Sequence, residues 1–95
     1  MLHTLRHSPW HADLAGMRRL MSDGDALLLI SDGVLGALEG SVLLESLHNA
    51  PISLYALKED VDARGLSGQI SHRVTIVDYT HFVRLAAEHA AQIAW

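Results

Sequence analysis

The sequence predicts a small three-layer α/β domain built on a mainly parallel sheet of about four strands, and three observations predict it. Ala26–Ile30 is an apolar run with no polar alternation, the pattern of a strand covered on both faces. Segments of strand character alternate with segments whose apolar residues recur at helical spacing, which calls for parallel strands joined by right-handed crossovers. Turn-forming residues separate these segments: Ser8-Pro9, Gly24, Asp32-Gly33, Asn49-Ala50-Pro51 and Gly65.

The first strand is expected over Leu2–Arg6, ending before the Ser8-Pro9 turn. Ser8 suits an N-cap with Pro9 at the first helical position, and Trp10, Leu14, Met17, Leu20 and Met21 form one apolar stripe. Asp13 stands early in that helix and Arg18 and Arg19 late, as the helix dipole favours, and Gly24 is placed to end it in a left-handed cap. The central strand Ala26–Ile30 follows and leaves through Ser31, Asp32 and Gly33. Val34–Leu38, interrupted by Gly36, reads as a short irregular helical turn broken at Gly40. Ser41 then caps a helical piece that turns Leu43, Leu44 and Leu47 inward and stops at Asn49-Ala50-Pro51. Ile52–Leu57 is the third strand, and a brief helix from Lys58 through Arg64 closes on Gly65 with Leu66 placed for a Schellman contact. Ser67–His72 is turn-like, and Val74–Val77 is a fourth, β-branched strand. Asp78 caps a last helix with Tyr79, Phe82, Val83, Ala86, Ala90 and Ile93 along one side. Trp95 is too large and apolar for a frayed tail and is expected to pack against this domain or a neighbour.

Composition narrows the function. With 95 residues, 49% of them apolar and 19% charged, residues 1–95 read as one domain that buries about two thirds of its unfolded surface. So small a sheet has exposed edges, and the apolar excess suits burial against other chains. A net charge of −4 argues against direct nucleic-acid binding through phosphates. There is no cysteine, which excludes disulfides, thiolate metal sites and thiol nucleophiles. The amino-terminal residues lack an apolar core of signal-peptide length, and no apolar run reaches the roughly eighteen residues of a membrane span, so a cytoplasmic protein is expected.

Open parallel sheets carry their functional groups just beyond the carboxyl ends of the strands. That rim collects His7 and Ser8 after the first strand, Asp32 after the second, Glu59 and Asp60 after the third, and Asp78 and Tyr79 after the fourth. Carboxylates at such junctions also cap helix N-termini, and that structural role is the simpler account of Asp32, Asp60 and Asp78. His3, His7 and His11 are spaced by four, as helical zinc ligands can be, but Pro9 interrupts the helix and no glutamate follows His7. No metal or other cofactor is expected. Gly33, Gly36 and Gly40 follow a strand without forming a dinucleotide or P-loop motif. Asp32 at a strand end resembles a phosphoacceptor aspartate, although Arg6-His7 stands where an acidic pair would hold magnesium. A small phosphoacceptor or nucleotide-binding module using the Asp32-Gly33 strand end is therefore the alternative reading.

Several stretches together resemble one family over essentially the whole chain. They are Met1–Leu5 with Ser8-Pro9-Trp10, Asp32-Gly33-Val34, Leu44–Leu47, Asn49–Ile52, Tyr55-Ala56-Leu57, Ala63–Leu66, Gly68–Ser71, Asp78-Tyr79-Thr80, Phe82–Leu85 and the final Trp95. By these residues the chain is similar to the DsrH-like family and implies a DsrEFH-like fold. The resemblance implies a subunit of a sulfur relay complex formed with TusC and TusD, a heterohexamer holding two copies of each subunit. In that complex a persulfide passes from TusA to a cysteine of TusD, then to TusE, toward 2-thiolation of the wobble uridine of certain transfer RNAs. The resemblance makes this chain the subunit that bears no sulfur, and the residues agree independently, since a persulfide needs a thiolate. Some DsrH relatives carry a cysteine in the first helix, where Gly16 and Met17 stand here. The expected role is non-catalytic and structural, with Trp10, Asp32, Gly33, Tyr79 and Trp95 as candidate interface residues.

Overall fold

All four residues of β2 (Ala26–Leu29) are buried, and the fold is laid out around them. The computed structural model describes residues Met1–Trp95. In it β2 is flanked by β1 (Leu2–Leu5) and β3 (Ser53–Leu57), with β4 (Thr75–Val77) beyond β3 and β5 (Gln92–Ala94) beyond β1. The order is β4-β3-β2-β1-β5 and every pairing is parallel. The sheet thus has five strands, one more than the sequence suggests. The extra strand is β5, which the alanines around it disguise as the tail of a helix. His89 leaves the helical region, and Gln92, Ile93 and Ala94 pair with Leu2, His3 and Thr4. The open edge of β1 overrides a weak local helix preference.

Right-handed crossovers account for the layers. The steps β1 to β2 to β3 to β4 march in one direction, so their connections share a face: α1 (Leu14–Leu20), α2 (Val42–Ser46) and α3 (Lys58–Ala63). The return from β4 to β5 runs the opposite way, so α4 (Tyr79–Glu88) covers the other face. The two apolar clusters agree. Leu5, Leu27, Leu29, Leu54 and Ala56 of the sheet pack with Met17, Leu43, Leu44, Leu47 and Val61 on the first face. Leu2, Ala26, Leu28 and Val77 pack beneath Phe82 and Ala86 of α4 on the second. Tyr79 and Val83, expected on the packed side of that helix, are exposed.

The first helix departs from its expected course. Ser8 Oγ accepts the N–H of Trp10 and opens a 3-10 turn, Pro9–His11, but that turn ends at Ala12. Asp13 then caps α1, its Oδ1 accepting the N–H of Gly16 at 2.9 Å, so one expected helix becomes two pieces. Trp10 falls on the detached piece and is 74% exposed. Helix α1 ends at Met21 in extended conformation, and Gly24 (φ 87°) serves the turn Ser22–Asp25, where the Asp25 N–H meets the Ser22 carbonyl, in place of the expected helix cap. The Schellman ending of α3 forms as expected: Gly65 N–H donates to Asp62 O and Leu66 N–H to Val61 O. No helix is long and apolar enough to cross a membrane.

Candidate functional site

Beyond β2 the chain turns sharply into a 3-10 helix over Ser31–Ala37. Ser31 sits in the left-handed region (φ 51°), and its N–H donates to Asp60 Oδ2 at 2.7 Å. That bond ties the end of β2 to the start of α3 and holds a conformation that serine rarely adopts. Gly33 follows, buried against β1 so closely that a Cβ would fall on the carbonyl oxygen of Leu5. Gly36 is likewise pressed against Leu43 and Pro9. These two glycines therefore face the core, whereas a phosphate loop would turn them toward a ligand.

Asp32 points outward, its side chain 65% exposed, and receives Arg64 Nη2 at 2.9 Å. The same guanidinium donates from Nη1 to the backbone carbonyl of Asp60 at 3.2 Å and stands 3.8 Å from its carboxylate. Lys58 pairs with Asp62 at 2.7 Å, and that hydrogen bond raises the lysine's pKa above its ordinary value. The crossovers part to opposite faces between β3 and β4, the switch point at which open α/β sheets bind ligands. Here Glu59 fills that point, its carboxylate accepting the N–H of Tyr79 at 2.8 Å. Asp78 accepts the N–H of His81 at 2.8 Å and caps α4. The carboxylates the sequence places on the rim are thus engaged in caps and ion pairs. Tyr79 itself is 62% exposed, with its ring edge-on to Phe82.

At the other flank of the rim a shallow groove of about 320 Å³ is lined by Thr4, Arg6, His7, Ala94 and Trp95. All five candidate interface residues lie at this carboxyl end of the sheet: Trp10 after β1, Asp32 and Gly33 after β2, Tyr79 after β4 and Trp95 after β5. They are not gathered into one pocket. Trp10 and Tyr79 stand out from the surface, Asp32 is exposed, Gly33 is buried, and Trp95 is half-buried against the first-face cluster. No three His, Asp or Glu side chains come together as a metal site.

A polar network that sequence reasoning missed crosses the first face. His3 is fully buried, and its Nε2 lies 3.0 Å from Asp25 Oδ2 while its Nδ1 lies 3.1 Å from the indole Nε1 of Trp95. An indole nitrogen can only donate, so Nδ1 accepts and the ring's single proton sits on Nε2, directed at Asp25. Asp25 also receives the amino group of Met1 at 2.8 Å and the N–H of Ser22 at 3.0 Å. Burial disfavours its ionised form, but the hydrogen bonds from the Met1 amino group, His3 and Ser22 outweigh that penalty and hold the carboxyl well below the usual carboxylate range. The available signal was an unusual one: a histidine in the middle of a strand and an aspartate immediately before the most apolar strand.

Comparison with known proteins places this geometry. Residues 7–92 match the model of the DsrH-like protein family. The chain is 59% identical to protein TusB of Enterobacter sp. (strain 638), 61% to that of Klebsiella pneumoniae (strain 342) and 58% to that of Escherichia coli (strain K12), in each case over the whole of both chains. Its fold is similar to the crystal structure of the ychN protein from E. coli, with a TM-score of 0.75 at 17% identity over 99% of this chain and 97% of that one. It is also similar to MTH1491 from Methanobacterium thermoautotrophicum, with a TM-score of 0.79 at 19% identity over 99% and 96% of the two chains. Matched from just after its first strand to the first residue of its last, the chain belongs to the DsrH-like family.

Proposed function

We propose that the chain is a non-catalytic structural subunit of a cytoplasmic sulfur relay complex, TusBCD, which passes persulfide sulfur toward 2-thiolation of the transfer-RNA wobble uridine. The observation that carries this reading is end-to-end similarity to proteins named TusB, at 58–61% identity, in a chain without a single cysteine. A persulfide is carried on a thiolate sulfur, so this chain contributes by packing beside a partner that has one. The partners are TusC and TusD in a heterohexamer with two copies of each subunit, and the assembly exchanges sulfur with TusA and TusE.

The carboxyl end of the sheet is the contact surface in this reading. Trp10 and Tyr79 offer exposed aromatic anchors, and Asp32 lies between the strands that precede them. Gly33 acts through the path of its backbone, and Trp95 by completing the β1 flank of the rim. Residues 1–95 act as one domain.

Deleting the gene and measuring 2-thiouridine in digested transfer RNA by mass spectrometry tests the reading. The modification should disappear and return when the wild-type chain is supplied. Unchanged thiolation in the deletion strain defeats the proposal, as does a chain that never co-purifies with TusC and TusD.

A further inference from the structure

We propose that His3, Asp25 and Trp95 form a proton-operated clasp that holds β5 on the edge of β1 when His3 is neutral and releases it when His3 is protonated. The geometry dictates the logic. In the closed state Nε2–H of His3 donates to Asp25 and Nδ1 accepts from the Trp95 indole, so both ring nitrogens are committed and the ring is uncharged. The next proton can enter only at Nδ1, where it removes the acceptor and sets two N–H groups against each other. Asp25 gains from the change, because its partner becomes an imidazolium, so the proton is retained while the indole is expelled.

Apart from the clasp, β5 is fastened by its pairing with β1, by Gln92 Nε2, which donates to Ala86 O of α4, and by the packing of Trp95 on the first-face cluster. The strand has three residues, of which Gln92 and Ala94 are exposed, and its backbone is tied to β1 alone. The Leu2 N–H donates to Ala91 O, and the Trp95 N–H to Thr4 O. The indole lies side by side with the imidazole, ring centres 6.3 Å apart and planes inclined by 19°, as an in-plane N–H to N bond requires.

Beside the clasp, Arg6 and His7 line the groove with Trp95, and Asp25 and the Met1 amino group are the other ionisable groups near His3. Asp25 touches it, and the Met1 amino group reaches it through Asp25. Its register neighbours are Leu27 on β2 and Ile93 on β5. Helix α1, on the same face, carries Arg18 and Arg19, and neither pairs with His3 or Asp25. One proton separates the two states, and the open state binds it. Opening is therefore favoured by acid, by up to about tenfold per pH unit, because only the open state holds the extra proton. The clasp is a property of the chain itself and does not depend on the relay assignment.

The test uses the full chain carrying Trp10→Phe, which leaves Trp95 as the only indole. Between pH 8.5 and pH 4.5, Trp95 emission should shift to longer wavelength and its Nε1–H should exchange faster with water. The midpoint should coincide with the His3 imidazole titration followed by NMR, while the amide signals of α4 and the far-ultraviolet circular dichroism stay constant. His3→Gln offers an amide N–H to Asp25 and an amide oxygen to Trp95 without a titrating group, and it should stay closed across the range. Constant Trp95 signals overturn the proposal. So does a change that accompanies loss of the α4 signals, or one that persists in His3→Gln. If His3→Gln does not fold, the coincidence or mismatch of the His3 and Trp95 midpoints in the Trp10→Phe chain decides.

Discussion

The carboxylate of Glu59 accepts the backbone N–H of Tyr79, which ties the end of β3 to the start of α4 where the connections diverge to opposite faces of the sheet. An N–H at a helix start is a ready anion site, and the protein supplies the anion from its own chain. Glu59→Ala should lower stability by about 1 kcal/mol, and Glu59→Gln, which keeps an acceptor oxygen, should recover part of that loss. Urea unfolding of the three proteins measures both changes.

Gly33 has no room for a side chain, because a Cβ would meet the Leu5 carbonyl and neither strand end can withdraw without disturbing the buried run beside it. Gly33→Ala is expected to cost on the order of 3 kcal/mol. Gly68→Ala is the control, since a Cβ there meets nothing within 4 Å. It should change stability by less than about 0.5 kcal/mol in the same denaturant titration.

Asp25→Ala removes the shared acceptor of His3, Ser22 and the partly exposed Met1 amino group, leaving unpaired donors without a buried charge, and it should cost about 1–3 kcal/mol. The pH dependence has a definite sign. A carboxyl with a depressed folded-state pKa stabilises fully above its unfolded value of 3.8, and that stability is lost as pH falls below it. Wild-type stability should therefore drop steeply below about pH 4, and Asp25→Asn should flatten that limb in unfolding curves taken at a series of pH values.

Trp10 and Tyr79 separate stability from association. Each is mostly exposed, so alanine at either position should shift unfolding by less than about 0.5 kcal/mol. If they anchor a partner, either change should weaken association with TusC and TusD by about tenfold or more. Thermal melts of the isolated chain, set beside titration of the reconstituted complex, give the two numbers. Full-strength assembly by the double variant would remove the rim as the contact surface.

The architecture was legible because its strongest signals are periodic and local. The unbroken apolar run of β2 could be satisfied only in the middle of a sheet, and Ser41, Gly65 and Asp78 punctuate helices by chemistry that acts within a few residues. What escaped depends on partners distant in sequence. Strand β5 exists because β1 has a free edge, and the pairing of His3 with Asp25 and Trp95 follows from folding alone. The break at Asp13 is a local contest that Ser8-Pro9 conceals, since two good caps stand five residues apart and both are used. On the rim the acidic residue types could be read from the strand ends, whereas their engagement with Arg64, Ser31 and Tyr79 required three dimensions.

The position of β5 also governs how the molecule is made. Leu2 pairs with Ala26 in the next strand of the sequence and with Gln92 in the last of the five, so one flank of β1 can zip early while the other waits for β5. Contacts so remote in sequence carry a high loop-closure cost and form late. On the ribosome the nascent sheet is left with a bare edge until Gln92–Ala94 clear the exit tunnel, and in that interval β1 is open to pairing with another strand.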